Sequence, residues 1–162
     1  MKDNSIDSKE LIITRVFNFP RSLVWKAWSM PEMLKKWWGP KDYTCPVCKI
    51  DFRVGGKYLS CMRSPEGKDY WSTGIYRQIV PIKIIVMTDS FADEKGNVVP
   101  ASYYGMQGEF PLELQVTVIF EDKGTKTVMT LQHLGLPGGK MTETTGDGWN
   151  QSFDKLEKVL IK

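Results

Sequence analysis

Hydrophobic and polar residues alternate with a period of two along most of the chain, which is the pattern of half-buried β-strands. The alternation is clearest at residues 11–19, where Pro20 ends the segment. It recurs at residues 43–53, 57–63, 70–79, 82–91, 112–121 and 125–133. Turn sequences separate several of these segments, at residues 55–56, 65–67 and 122–124. The pattern therefore predicts a sheet of about seven strands, mostly joined as antiparallel neighbours.

Two short helical patterns interrupt the strands after residue 20. Ser22 is predicted to cap the first helix, and Ser29 is predicted to cap the second, with Pro31 in its first turn. The apolar positions have one-sided helical spacing, and Gly39-Pro40 ends the second helix. These positions are Val24, Trp25 and Trp28, then Met33, Leu34, Trp37 and Trp38.

The end of the chain has the periodicity of a longer amphipathic helix. Its apolar residues stand at i, i+4, i+7 and i+11, which places them on one helix face. They are Trp149, Phe153, Leu156 and Leu160. Because an antiparallel sheet needs its inner face covered, this helix is predicted to pack against the strands. Gly146 and Gly148 either weaken the start of the helix or let it approach the sheet closely.

Strand alternation also predicts register and close contacts. A three-residue loop at Gly55-Gly56 would place Phe52 opposite Tyr58 and Cys48 opposite Met62. The apolar side chains of both strands then share one face. Val116, Val118 and Phe120 are predicted to share a face with Thr127, Met129 and Leu131 of the next strand. Gly74 marks a point where a backbone or a ligand approaches closely.

Residues 93–111 show no clear periodicity and contain Tyr103, Tyr104, Met106 and Phe110. Long irregular segments in compact domains are usually functional or mobile. Exposed rings on such a segment raise the hypothesis of a lid or a partner contact.

Length and composition predict one globular domain, at residues 11–162, preceded by a polar tail at residues 1–10. The chain has 162 residues, of which 41% are hydrophobic and 25% charged. Aromatic residues reach 12%, with six Trp, seven Phe and six Tyr. This surplus of rings suggests a ring-lined core or pocket.

Charge and hydropathy exclude several classes of function. The 22 Lys and Arg residues against 19 Asp and Glu give a net charge of +3, which is too small to indicate a nucleic-acid partner. Apolar runs are too short to span a bilayer, and the polar N-terminus does not resemble a signal peptide. A cytoplasmic protein is therefore expected.

The three cysteines predict neither a disulfide framework nor a metal site. Their odd number fits a reducing compartment. Cys45 and Cys48 have redox-motif spacing, but residues three apart on a strand point to opposite faces. A zinc site would need a second ligand pair, for which only Cys61 and His133 remain. His133, the single histidine, is predicted to be a strand-end residue with a local hydrogen bond. No cofactor and no catalytic residue is predicted.

With these elements in order, the chain resembles the activator of heat-shock protein 90 ATPase-like family, within the START/SRPBCC (helix-grip, Bet v-like) superfamily. The resemblance lies in residues 24–28 (VWKAW), 33–40 (MLKKWWGP), 51–57 (DFRVGGK), 74–81 (GIYRQIVP) and 116–120 (VTVIF). It continues through Lys126-Thr127 and Gly148-Trp149 to Leu156, and it covers residues 13–160 in the expected order.

The resemblance implies an α+β helix-grip fold, in which a curved antiparallel sheet wraps around the C-terminal helix and two short helices follow strand one. It also implies an apolar cavity between sheet and helix, since superfamily members bind hydrophobic molecules there. The first hypothesis is therefore non-catalytic binding of a small hydrophobic or aromatic ligand. The candidate lining residues are Ile50, Phe52, Tyr58, Met62, Tyr76, Val116, Val118, Phe120, Met129, Trp149 and Phe153.

Two alternatives remain at this point. The family's name implies a chaperone-partner module with a role in the stress response. The superfamily also includes cyclases and hydrolases, so an enzyme acting on a hydrophobic substrate is the other alternative. Catalysis would need a convergent acid/base pair, and the candidates, which are His133, Asp51, Glu113, Asp89 and the tyrosines, share no informative spacing. Either a monomer or a homodimer fits the sequence.

Overall fold

The computed structural model describes residues 10–106 and 110–161. Over these residues it contains a short 3-10 helix at Ala101–Tyr104 and the following main elements: β1 (Glu10–Phe17), α1 (Arg21–Ser29), α2 (Pro31–Trp37), β2 (Thr44–Ile50), β3 (Lys57–Arg63), β4 (Asp69–Val80), β5 (Ile84–Ala92), β6 (Leu114–Lys123), β7 (Lys126–Leu134) and α3 (Gly139–Ile161). The predicted tail at residues 1–10 lies outside the described residues except for Glu10, which begins β1.

The strands form one seven-stranded antiparallel sheet in the order β1-β7-β6-β5-β4-β3-β2. Each strand from β2 to β7 pairs with its chain neighbour, and β1 joins the far edge by pairing with β7. Helices α1, α2 and α3 contact the sheet. This is the predicted α+β helix-grip architecture, with a long C-terminal helix and two short helices after β1.

The predicted common face of β6 and β7 is confirmed. Phe120 pairs with Met129 and Val118 pairs with Leu131, and all four side chains are buried. Thr127 is also buried, where its hydroxyl donates to the Phe19 carbonyl at 2.7 Å. The alternation of apolar and polar residues was sufficient here because a two-residue turn joins the strands and fixes their register.

The predicted register of β2 and β3 is wrong by two residues. Ile50, not Phe52, pairs with Tyr58, and Cys48 pairs with Ser60. The strands are joined by a six-residue loop, in which the Gly55 N–H donates to the Tyr76 carbonyl at 2.8 Å. Because the error is an even number of residues, the assignment of side chains to the two faces survives.

The bulge in β2 overturns the prediction that Cys45 and Cys48 face opposite sides. Thr44 pairs with Arg63 and Val47 pairs with Cys61, so β2 contains one residue more than its partner between these two pairs. The extra residue reverses the alternation, so the two thiols lie close enough to interact, and the Cys45 thiol donates to the Val47 carbonyl at 3.2 Å. Simple strand geometry could not anticipate this insertion.

The helix ends also differ from the prediction. Pro20 precedes α1 and Met30 precedes α2, so neither Ser22 nor Ser29 is an N-cap. Neither cap residue makes a side-chain hydrogen bond to its helix, and Pro31 stands in the first turn of α2 as expected. The predicted boundaries are late for α1 and early for α2, because serine is a stronger capping signal in sequence than proline or methionine.

The core lies between the inner face of the sheet and the three helices. Phe153, Leu156 and Leu160 of α3 are buried with Phe17 of β1 and Trp37 of α2. Gly146 lies against Leu11 of β1, where an added Cβ would be 3.2 Å from its side chain, so the helix approaches the sheet closely. None of the helices in the described part of the chain combines the length and the apolar character that a membrane crossing requires.

Candidate functional site

A cavity of about 390 Å³ lies between the first half of α3 and strands β3 to β5. The segment that follows α2 forms another part of its wall, and residues on both sides of the undescribed positions 107–109 complete it. Rings and methionines dominate the described lining: Trp38, Tyr43, Tyr70, Phe91, Tyr104, Phe110 and Trp149, with Met62, Met106 and Met141.

Small side chains on one face of α3 leave this space open. Thr144, Gly148 and Ser152 recur at intervals of four residues and all line the cavity, as does Thr145. The hydroxyls of Thr145 and Ser152 donate to backbone carbonyls of their own helix, at 2.8 and 3.1 Å. Their hydrogen-bonding needs are therefore met within α3, and the wall that they form is compact.

One carboxylate and one imidazole meet on the cavity wall. Asp89 Oδ2 on β5 lies 3.2 Å from His133 Nε2 on β7. The Trp149 indole on α3 donates from Nε1 to His133 Nδ1 at 3.1 Å. The contact between Nε2 and Asp89 does not have the geometry of a hydrogen bond. This buried nitrogen therefore has no hydrogen-bond partner among the described residues. His133 is thus buried and contacts residues that are distant in the chain. The prediction of a local hydrogen bond is wrong.

Tyr58 connects the same carboxylate to the core. Its hydroxyl lies 3.1 Å from the Thr88 carbonyl and 3.2 Å from Asp89 Oδ1. Gly74 makes this position possible, because a Cβ there would lie 2.0 Å from the Thr88 carbonyl oxygen and 2.5 Å from the Tyr58 ring. The groups that approach Gly74 closely, as predicted, are therefore the Thr88 backbone and the Tyr58 ring.

Burial dominates the titration behaviour of the tyrosines near this wall. It raises the pKa of Tyr58 well above its ordinary value, and the nearby charge of Asp89 adds to the effect. Burial likewise raises the pKa of Tyr76. Both hydroxyls therefore keep their protons through the neutral range, and Tyr58 acts as a hydrogen-bond donor to Asp89 or Thr88.

The structure divides the eleven predicted lining residues into three groups. Met62 and Trp149 line the large cavity. Ile50, Tyr58 and Tyr76 line a separate space of about 10 Å³, too small for an organic ligand. The rest line neither space and pack in or against the core: Phe52, Val116, Val118, Phe120, Met129 and Phe153.

Sequence reasoning missed the association of Asp89 with His133. The two residues are far apart in the chain, and they become neighbours because β5, β6 and β7 are consecutive in the sheet. Asp51 and Glu113, the other acidic candidates, lie outside the cavity and pair with Arg53 and Arg77. The single charged residue of a strand, Asp89 in β5, was the available signal.

One of the three cysteines, Cys48, lines the small space. Interaction between the neighbouring thiols lowers the pKa of Cys45 and raises that of Cys48. Burial raises the pKa of Cys61 to about 11. No cluster of three or more His, Cys, Asp or Glu side chains suited to a metal ion occurs within residues 10–106 and 110–161.

Similarity to known proteins agrees with this architecture. Residues 18–161 match the family model described as Activator of Hsp90 ATPase homolog 1-like protein. The chain belongs to this family. No curated protein matches the chain significantly.

Solved structures show how widely the family fold extends. A protein from Chromobacterium violaceum is 24% identical and superposes with a TM-score of 0.79, covering 95% of this chain and 98% of its own. The AHSA1 protein of Silicibacter pomeroyi is 25% identical, with a TM-score of 0.76 and coverage of 94% and 97%. The resemblance predicted from the sequence is confirmed at the level of family and fold.

Proposed function

We propose that this family member binds a small hydrophobic or aromatic molecule in the cavity between the sheet and α3, without transforming it. The observation that carries the proposal is the cavity itself, whose volume of about 390 Å³ is that of typical small-ligand sites. A predominantly aromatic lining suits a flat or apolar ligand, because ring contacts add to the free energy gained by burying apolar surface.

Within this proposal, Met62 and Trp149 are the sequence-predicted residues that contact the ligand. They lie on opposite walls, one on β3 and the other on α3. Tyr58 acts indirectly through Asp89, and Phe153 supports Trp149 by ring contact at 5.6 Å. The unpaired thiols of Cys45, Cys48 and Cys61 fit a reducing, cytoplasmic location for this activity.

Tryptophan fluorescence provides the test, because Trp38 and Trp149 both line the cavity. Titration with a panel of neutral aromatic ligands is expected to give a saturable change in emission. Thr145→Phe places a ring in the cavity and is expected to weaken binding at least about tenfold. Thr14→Phe, on the exposed face of β1, is the matched control and is expected to bind like the wild-type protein. Equal affinities in both variants, or no saturation in the wild type, would refute the proposal.

Catalysis on a hydrophobic substrate is a second candidate, favoured by the contact between Asp89 and His133. An imidazole beside a carboxylate is a common arrangement for proton transfer. A naphthyl ester supplies a fluorescent assay for hydrolysis, with Asp89→Asn as the test variant and Glu113→Gln as the control. Hydrolysis by the wild type and the control, but not by Asp89→Asn, would support this candidate; equal rates in all three proteins would reject it.

A chaperone partnership is the remaining alternative, and only family membership supports it. The chain would then bind an Hsp90-type chaperone and raise its ATPase rate. Co-purification with such a chaperone and stimulation of its ATPase above background would establish this function. An unchanged ATPase rate at saturating concentrations would exclude it.

A further inference from the structure

The cavity wall carries an unbalanced charge. Among the described residues that line it, Asp89 is the single acidic group and none is lysine or arginine. The Asp89 side chain is 26% exposed, so its carboxylate remains accessible from the cavity. An apolar ligand that filled this space would displace water from the carboxylate, and an unpaired charge is costly to desolvate.

The neighbouring imidazole does not supply the missing positive charge. His133 Nδ1 accepts a hydrogen bond from the Trp149 indole, and a ring nitrogen that accepts holds no proton. The ring proton therefore lies on Nε2, next to Asp89 Oδ2, and the imidazole is neutral in this arrangement. A second proton on Nδ1 would face the indole N–H and break their hydrogen bond.

The remaining contacts orient Asp89 without neutralising it. The Tyr58 hydroxyl lies 3.2 Å from Oδ1 and is a neutral donor. Two lysines adjoin the wall from outside the cavity. Lys155 Nζ donates to the Pro40 and Tyr43 carbonyls at 3.2 and 3.1 Å, and Lys68 Nζ lies 5.1 Å from the centroid of the Tyr70 ring. Both ammonium groups are thus occupied by other partners.

Aromatic rings line the same cavity as the carboxylate. Tyr43, Tyr70 and Tyr104 form a connected series, with centroids 6.4 and 5.3 Å apart, and Trp149 lies on the opposite wall. Ring faces attract organic cations, and the attraction increases where water is excluded. Rings and a single carboxylate together match a cation that also has an apolar body.

We propose that the ligand of this cavity is an aromatic molecule that carries a protonated amine, whose N–H groups donate to Asp89 Oδ2. This inference rests on the proposed ligand-binding function and specifies its chemical class. His133 is a positioning residue, because its Nε2 lies 3.2 Å from Asp89 Oδ2 and the Trp149 indole orients its ring. An alcohol would donate one hydrogen bond and leave the negative charge unbalanced, so the ammonium group is preferred.

A matched ligand series tests the charge directly. We would measure the affinities of 2-(2-naphthyl)ethylamine, 2-(2-naphthyl)ethanol and 2-ethylnaphthalene by fluorescence and calorimetry at neutral pH, where an alkylamine is protonated. The amine is expected to bind about tenfold more tightly than the alcohol, as a charge-assisted hydrogen bond requires. Asp89→Asn should reduce this preference to about twofold or less.

Glu113→Gln is the control, because it removes the same charge from a residue outside the cavity. It should retain the preference for the amine, and thermal melts should show that all three proteins are folded. Equal binding of the three ligands by the wild type would overturn the amine inference while leaving the proposed function intact. A preference for the amine that persists in Asp89→Asn would also overturn it. If no ligand binds, the proposed function itself fails.

Discussion

The two halves of α3 face the same sheet but create different surroundings. The second half presents Phe153, Leu156 and Leu160, which are buried in a filled core. The first half presents Thr144, Thr145 and Gly148 to a cavity of about 390 Å³. Trp149 stands at the boundary, stacked on Phe153 on one side and bonded to His133 on the other.

This difference shows how one helix can stabilise a fold and bound a binding site. Burial of large apolar side chains in the second half supplies free energy of folding. Small and polar side chains in the first half contribute less, and they leave room for a ligand. The following predictions test whether the second half of α3 contributes mainly to stability and the first half mainly to ligand binding.

The largest loss of stability is expected from a substitution in the second half of α3, which packs in the filled core. Phe153 is fully buried against Trp28 and Trp37, at centroid distances of 6.2 and 6.1 Å. Phe153→Ala should lower the free energy of unfolding by about 4 kcal/mol, measured by chemical denaturation. Met141→Ala, in the first half of α3, should lower the free energy of unfolding by less than about 1 kcal/mol. Equal losses would show that the two halves do not differ as the packing indicates.

The polar wall of the cavity depends on a close backbone approach at Gly74. Gly74→Ala introduces a Cβ 2.0 Å from the Thr88 carbonyl oxygen, so the strands must separate. We expect a loss of about 3 kcal/mol in the free energy of unfolding. Gly148→Ala is the comparison, because its Cβ would meet Pro40 at 3.5 Å, an ordinary contact. That variant should be unchanged or more stable by up to about 1 kcal/mol.

Added volume should be tolerated differently in the two halves. Leu156→Phe overfills a fully buried site and should cost about 2 kcal/mol. Thr145→Phe extends into the cavity and should change the free energy of unfolding by less than about 1 kcal/mol, although it blocks ligand binding. Thermal denaturation of both variants would reveal the contrast. A strongly destabilised Thr145→Phe protein would mean that the cavity cannot accept a ring.

The smallest effect concerns alkaline pH and the buried Tyr58. Because burial raises its pKa, the hydroxyl stays protonated in the folded chain while the unfolded chain ionises near pH 10. The contribution of this group to the free energy of unfolding is therefore fully present below about pH 10. Above that pH it falls by about 1.4 kcal/mol per pH unit.

Tyr58→Phe should remove that part of the slope, as denaturation at several pH values would show. Exposed Tyr103 provides the control, and Tyr103→Phe should leave the slope unchanged. A Tyr58→Phe protein with the wild-type slope would mean that the buried hydroxyl does not resist ionisation.

The sequence predicted the fold because its signals are local and repeated. Alternation in β6 and β7 defines their common inward face, and the stripe from Trp149 to Leu160 defines a helix face. Where a loop or a bulge intervenes, local periodicity gives no count of the extra residues. The register of β2 was wrong for this reason, and so was the separation of Cys45 from Cys48.

The sequence alone determined the order of elements, the family and the inward face of β6 and β7, because these follow from side-chain periodicity and motif order. Only the tertiary structure decided which inward residues fill the core and which border empty space. Val118 and Tyr70 are both apolar strand residues, yet one is buried in the core and the other lines the cavity. Whether an inward residue is buried or borders the cavity depends on the size of the α3 side chains opposite it. Asp89 and His133 become neighbours only because β5, β6 and β7 lie side by side in the sheet.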